Sequence, residues 1–149
     1  MIFIDTDIFV IDKLFHEDKR FEVNKEFLDL KEKRSTSVYN VLELCGLASF
    51  SLSSTDLMIL FTNFHKLYDL TVLYPKIVHP SAEEMLRYTI SKIFEKICLK
   101  MSYPDAQILL IAEGYDCSYI VTWNKRHFEG RTYIPIRTPE EYLKEGKNS

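Results

Sequence analysis

The chain has 149 residues, 46% of them hydrophobic and 28% charged, with only four glycines and five prolines. That suits one domain with an ordinary buried core and excludes disordered, collagen-like and low-complexity chains. The net charge of −3 excludes a generally basic nucleic-acid coat, although not a local basic patch.

The predicted elements alternate. Ile2–Ile4 is a short apolar β-type run, and residues 7–16 read as a helix with Ile8, Ile11, Leu14 and Phe15 on one face. Residues 21–33 read as a second, charged helix, 35–38 as a strand, and 39–50 as a helix with Ser37 as its N-cap. A helix over 54–66 and a strand over 70–74 follow. From Ser81 the apolar residues Ala82, Met85, Leu86, Ile90, Ile93, Phe94, Ile97 and Cys98 recur at three- and four-residue spacing, which predicts an amphipathic helix with these residues inward. Ser102-Tyr-Pro-Asp105 opens a buried helix stopped by Gly114. Residues 117–122 read as a strand and 133–136 as a weaker one. Thr138-Pro-Glu-Glu opens a last short helix.

This alternation predicts an α/β domain over residues 1–149 with a mostly parallel sheet of about five strands. The opening MIFIDTDIFVID has no basic n-region and is interrupted by Asp5, Asp7 and Asp12, unlike a signal peptide. No run approaches the ~18 apolar residues of a membrane span. Cys45, Cys98 and Cys117 have no zinc-ligand spacing and read as small buried hydrophobes of a reduced, cytoplasmic protein.

In open parallel sheets, sites lie at the carboxyl ends of the strands. The first strand runs straight into Asp5-Thr6-Asp7, and the late strand into Trp123-Asn124. In a 3-2-1-4-5 strand order, Asp5 and Asn124 fall side by side, and the helix starts carrying Glu43 and Asp105 open at the same edge. Carboxylates gathered on one rim repel one another unless a cation neutralises them, and oxygen ligands suit Mg²⁺ or Mn²⁺. Each acid also has a plainer reading. Asp5 can cap a turn or helix, Asp7 suits a helix dipole, and Asp105 pairs with Ser102 as a capping box. Glu43 sits among Val41, Leu42, Leu44, Cys45 and Leu47, and a glutamate in a buried stretch needs a partner.

Four stretches carry a resemblance: MIFIDTDIF, TSVYNVLELCG, YPDAQILLIAEGYDCSYIVTWNKRHFEG and IRTPEEYL. On these the chain resembles the PIN-domain nucleases, in particular the VapC-like ribonuclease toxins of prokaryotic toxin–antitoxin modules. The resemblance implies a three-layer α/β/α PIN-like fold, Mg²⁺ or Mn²⁺ held by three or four acids, and cleavage of RNA. It places the family acids at Asp5, Glu43 and Asp105. Where many members have Thr-x-Asp after the fourth strand, this chain has Thr122-Trp123-Asn124, so one carboxylate is replaced by an amide. Asp7, at a place where relatives often carry Asn or Ser, is the candidate to restore the charge. Catalysis is therefore expected from Asp5, Glu43, Asp105 and Asn124, with metal held by Asp5, Asp105, Glu43 and Asp7, and with Thr122 orienting an acid.

Lys125, Arg126 and Arg131, just beyond the fourth strand, are the expected RNA phosphate contacts. Lys31, Lys33 and Arg34 form a second basic cluster, read as solvated surface. Trp123 reads as packing before base stacking, and His127 as a surface-loop residue. The apolar stretch 50–70 reads as core; the resemblance suggests that a helical groove there receives a protein antitoxin and that the chain forms a homodimer. Two rival functions stay open: a PIN-like module that binds RNA or protein without cleavage, and a haloacid-dehalogenase-type phosphohydrolase with Asp5 as nucleophile and Asp7 as acid/base.

Overall fold

A computed structural model describes residues 1–147, so the last two residues of the expected 1–149 domain lie outside it. The sheet contains β1 (Ile2–Ile4), β2 (Arg34–Ser37), β3 (Thr71–Leu73), β4 (Tyr119–Val121) and β5 (Ile136–Arg137). All four pairings are parallel, in the order β3-β2-β1-β4-β5. That is the predicted α/β topology, and it places β1 beside β4 at the centre.

The short strands are covered on both faces, so their apolar residues divide by the two-residue period. Phe3 and Ile120 face α5 (Ala82–Cys98) and α6 (Tyr103–Gly114), packing with Ile93, Ile108, Leu109 and Ala112. Ile2, Ile4 and Val121 face the other layer. There they meet residues of α1 (Thr6–Leu14), α2 (Phe21–Leu28), α3 (Val38–Ala48), α4 (Ser54–Leu67) and α7 (Pro139–Lys147). The result is the expected three-layer α/β/α sandwich. Its second layer is anchored by the aromatic cluster of Phe9, Phe64 and Tyr68, whose ring centroids lie 4.7 to 4.9 Å apart.

Capping chemistry sets the helix starts. Ser37 accepts from the Asn40 amide at 3.2 Å, and its own N–H donates to Asn40 Oδ1 at 3.1 Å, a reciprocal capping box. Ser81 and Ser102 cap α5 and α6. The Glu141 N–H donates to Thr138 Oγ1, and the Thr138 N–H to the Glu141 carboxylate, at the start of α7.

Several expectations need correction. The helix predicted over 21–33 ends at Leu28, because the chain must turn to bring Lys33 O to the Ile2 N–H and enter the sheet. Gly114 does not stop α6 by a left-handed turn. It is the last helical residue, and Asp116 takes the left-handed conformation at φ 50°. The final strand falls at Ile136–Arg137, later than 133–136. On α5 the apolar stripe is mostly outward: Ile93 is buried, while Leu86, Ile90, Phe94, Ile97 and Cys98 are exposed. The helix therefore has two apolar sides, only one of which the sheet covers. The 50–70 stretch is likewise not all core, since Phe64 is buried but Phe50, Met58, Ile59 and Leu67 are exposed. Among the described residues, no helix is long and apolar enough to cross a membrane.

Candidate active site

The carboxyl ends of β1, β2 and β4 meet the N-terminal ends of α1 and α3 at one edge of the sheet. Asp5 ends β1 and N-caps α1. Its Oδ1 accepts from the Thr6 N–H at 2.8 Å and from Asn40 Nδ2 at 3.2 Å, and its Oδ2 accepts from the Thr122 hydroxyl at 2.8 Å. Asp7, in the first turn of α1, puts a single oxygen, Oδ2, against three groups. These are Thr122 Oγ1 at 3.0 Å and the backbone N–H groups of Trp123 at 2.8 Å and Asn124 at 3.1 Å. Its other oxygen, Oδ1, is buried with no hydrogen-bond partner.

The Thr122 hydroxyl has one proton and faces two carboxylates. Its lone pairs already receive the Asn124 N–H at 3.0 Å. Two adjacent carboxylates therefore share one hydroxyl hydrogen, and Arg20, over the neighbouring Trp123 ring, gives Asp7 positive charge at a distance without bonding to it. The electrostatics agree. Burial, then the neighbouring Asp7 charge, pushes Asp5 well above its ordinary carboxylate range, against the pull of the Thr122 and Thr6 hydrogen bonds. Burial pushes Asp7 up to about 6, although Thr122 and the Trp123 and Asn124 amides favour its ionised form.

Glu43 belongs to the same network through Thr6, whose hydroxyl donates to Glu43 Oε2. It does not sit in a buried stretch, as its apolar neighbours suggested. Its turn of α3 faces outward, with Leu42 and Leu47 exposed beside it. Asn40 ties these parts together: its Nδ2 reaches both Asp5 and Thr6 Oγ1, the latter at 2.9 Å. Sequence reasoning missed Asn40 and Thr6. The signal available was an asparagine at the third position after a serine cap, where Glu or Gln is usual.

Asp105 stands across a cleft from this network. Ser102 Oγ donates to its Oδ2 at 2.6 Å, as the cap pairing predicted. His127 Nδ1 lies 3.3 Å from the same oxygen. Glu43, Lys100, Met101, Ser102, Pro104, Asp105, His127 and Arg131 line the cleft, whose volume is about 370 Å³. His127 was read as a loop residue and is instead a cleft residue.

The remaining candidates are arranged differently from expectation. The residue beside Asp5 is Thr122, whose hydroxyl donates to Asp5 Oδ2. Asn124 is exposed and reaches the acids through its backbone N–H, not its side chain. Lys125 is not a free phosphate contact: it is clasped by Glu129 at 3.2 Å and Glu141 at 3.0 Å. Arg131 donates to Leu99 O at 2.9 Å and to Arg126 O, which fixes its guanidinium at the cleft wall. Arg126 is exposed. Trp123 packs, with its indole N–H donating to Asn24 Oδ1 at 2.9 Å and Arg20 over its ring.

Among the described residues, no three His, Cys, Asp or Glu side chains are already gathered closely enough to hold an ion as they stand. The donor set nevertheless fits a hard divalent cation. Asp5 and Asp7 are adjacent carboxylates that raise one another's cost of ionisation, Asp7 Oδ1 is buried and unused, and Glu43 and Asp105 open onto the neighbouring cleft.

No protein-family model matches the sequence, and no curated protein matches it either. Solved structures do. The chain superimposes on a chain of VapBC-1 from nontypeable Haemophilus influenzae with a TM-score of 0.63 at 16% identity, over 94% of this chain and 99% of that one. For FitAcB from Neisseria gonorrhoeae the TM-score is 0.62 at 14% identity, over 94% and 99%. For a toxin–antitoxin complex from Klebsiella pneumoniae it is 0.54 at 17% identity, over 93% and 98%. The fold is shared with these proteins. The likeness spans almost the full length of each.

Proposed function

We propose that the chain is a metal-dependent endoribonuclease and the toxin of a toxin–antitoxin pair, holding Mg²⁺ or Mn²⁺ by Asp5 and Asp7, with Glu43 and Asp105 completing the site. The observation that carries this reading is the Asp5–Thr122–Asp7 arrangement: two buried carboxylates, one hydroxyl hydrogen between them, and one buried oxygen with no partner. The fold shared with proteins of toxin–antitoxin complexes supports the biological role.

A bound divalent cation would supply positive charge for the negative charge that develops on a phosphodiester during hydrolysis. The chain's own residues do the rest. Thr122 and Asn40 orient Asp5, while the Trp123 and Asn124 amides fix Asp7. Glu43, held by Thr6, and Asp105, held by Ser102, present carboxylates able to accept a proton in the cleft. Lys100, Arg131 and the exposed Arg126 give an acidic protein a local cationic rim for RNA phosphates.

A groove of about 320 Å³ between α1, α3 and α4, walled by Leu14, Leu44, Ala48, Ile59, Leu60 and Leu67, is the proposed antitoxin seat. The outward stripe of α5 is the proposed homodimer face.

The test is cleavage of total RNA by the purified chain with Mg²⁺ or Mn²⁺, against chelator and against Asp5→Asn and Asp105→Asn. Metal-dependent cuts absent from both variants are expected. RNA binding without cleavage by the folded wild type would instead favour the non-cleaving module, the reading that the outward side chain of Asn124 favours.

A further inference from the structure

We propose that the cavity between α5, α6 and the 75–78 loop takes one unpaired pyrimidine base of bound RNA. The inference rests on the RNA reading above and deepens it, by naming what beside the site reads the substrate.

The cavity is anchored in the core. Its floor includes the buried Ile93 and Ile111, and Tyr39, Leu110 and Tyr115 pack against the same cluster. The Tyr115 hydroxyl donates to Tyr74 O at 3.0 Å, which ties the end of α6 to the loop that follows β3. Tyr88 of α5 adds a third aromatic residue to the lining. The volume is about 180 Å³. An apolar cavity of about 150 Å³ accepts benzene, so this one has room for a single six-membered ring with its substituents. That is the size of a pyrimidine rather than a purine.

Its few polar groups suit a base and its phosphate. Gln107 offers a carboxamide donor and acceptor, the pair that the edge of uracil or cytosine requires. Lys76 is exposed and rests over the Tyr115 ring at 4.5 Å. Among the described residues it has no carboxylate partner, which leaves its ammonium for a phosphate. Position joins the cavity to the candidate active site. Tyr39 lies one turn before Glu43 on α3, and Gln107 lies two residues after Asp105 on α6. The helix starts that wall the cleft therefore also close one end of the cavity, and a strand leaving the cleft along these helices meets it. Stacking among aromatic residues suits unpaired bases, which a duplex keeps out of reach.

The experiment is fluorescence anisotropy of labelled hexauridylate, hexacytidylate and hexaadenylate with the purified full chain in chelator, for wild type, Met85→Trp, Gln107→Leu and Lys76→Glu. Folding of each variant is checked by circular dichroism. Wild type is expected to bind at least one pyrimidine oligomer ~10-fold or more tighter than hexaadenylate. Met85→Trp fills the cavity, and Gln107→Leu removes the carboxamide without changing the charge. Both should bring the pyrimidine oligomers down to the hexaadenylate level, whereas Lys76→Glu should weaken all three. A folded wild type that binds none of the oligomers or all three equally, or a preference unchanged in Met85→Trp and Gln107→Leu, would overturn the inference. Metal-dependent cleavage of total RNA by that same protein would show that the nuclease reading stands without it. A pyrimidine preference lost in both variants, from a chain that cuts no RNA with either metal, would overturn the nuclease reading and leave the cavity assigned.

Discussion

Replacing Asp7 by Asn should make the cation-free protein more stable at neutral pH while removing metal binding. In the fold, burial lifts Asp7 to about 6, against an ordinary value of 3.8. Below about pH 4 the carboxyl is protonated in both folded and unfolded chains and carries no penalty. Between about pH 4 and 6 the unfolded chain ionises while the folded one does not, so stability falls as pH rises. Above about pH 6 the loss is complete, and at ~1.4 kcal/mol per pH unit it amounts to about 3 kcal/mol. Asparagine keeps an oxygen to accept the Trp123 and Asn124 amides and removes the charge that most strongly opposes ionisation of Asp5 after burial itself. Urea unfolding in chelator, for both proteins from about pH 4 to 7.5, should show the two converging at low pH and the variant gaining up to about 3 kcal/mol above pH 6. Adding Mn²⁺ should raise the midpoint of the wild type and not of the variant, because only a ligand bound to the native state stabilises it. A variant no more stable than wild type at pH 7.5, or a difference that does not change with pH, would refute the reasoning.

Other substitutions probe the supports of the site and its surfaces. Asn40→Ala leaves the Ser37 N–H and one oxygen of buried Asp5 short of partners, and should cost about 2–4 kcal/mol by urea unfolding. Arg126→Ala should weaken RNA binding and reduce its salt slope by about 1, whereas Lys125→Ala, which opens the clasp to Glu129 and Glu141, should lose ~1 kcal/mol of stability with a smaller change in slope. Filter binding over a salt series separates the two. Phe94→Glu places a charge in the outward stripe of α5, where Phe94 is 64% exposed. If the proposed homodimer forms through this face, the variant should be monomeric by light scattering where the wild type is dimeric, without a shift in the melting temperature of the chain itself.

The order of elements and the sheet order were legible because strand–helix alternation leaves few topologies, and because Ser37, Ser81, Ser102 and Thr138 mark helix starts by local chemistry. The outward stripe of α5 was not legible. Three- and four-residue spacing reports that a helix has an apolar side, and cannot say whether the sheet or another surface covers it. In the candidate site, the places of Asp5, Asp7 and Asp105 after a strand or in the first turn of a helix are legible in the sequence, while Glu43 and Thr122 are singled out with the help of the resemblance. The contacts of Asn40 and Thr6 are not legible, because a polar side chain in a capping position gives the same sequence signal whether it serves the helix alone or also an acid beside it. Ser37–Asn40 and Ser102–Asp105 do both.

If the chain is the proposed nuclease, Asn124 is charge moved rather than charge lost. A carboxylate at residue 124 would sit at an exposed position on the rim, where water shares the cost of holding it. In this chain the rim residue gives only its N–H, and the N–H points at Asp7. The charge has passed to a side chain inside the edge, fixed by one hydroxyl and two amides, with one oxygen unpartnered. A buried carboxylate costs more free energy than an exposed one and so responds more strongly to a cation. On that reading the number of acids is kept, and the stability of the fold is coupled more tightly to what occupies the site. Exchanging the charges, with Asp7→Asn and Asn124→Asp in one protein, should therefore keep metal-dependent cleavage and flatten the fall in stability between about pH 4 and 6. A double variant that stays inactive despite a native fold, or that keeps the pH-dependent loss, would show that the position of the charge, and not its presence, is what the site requires.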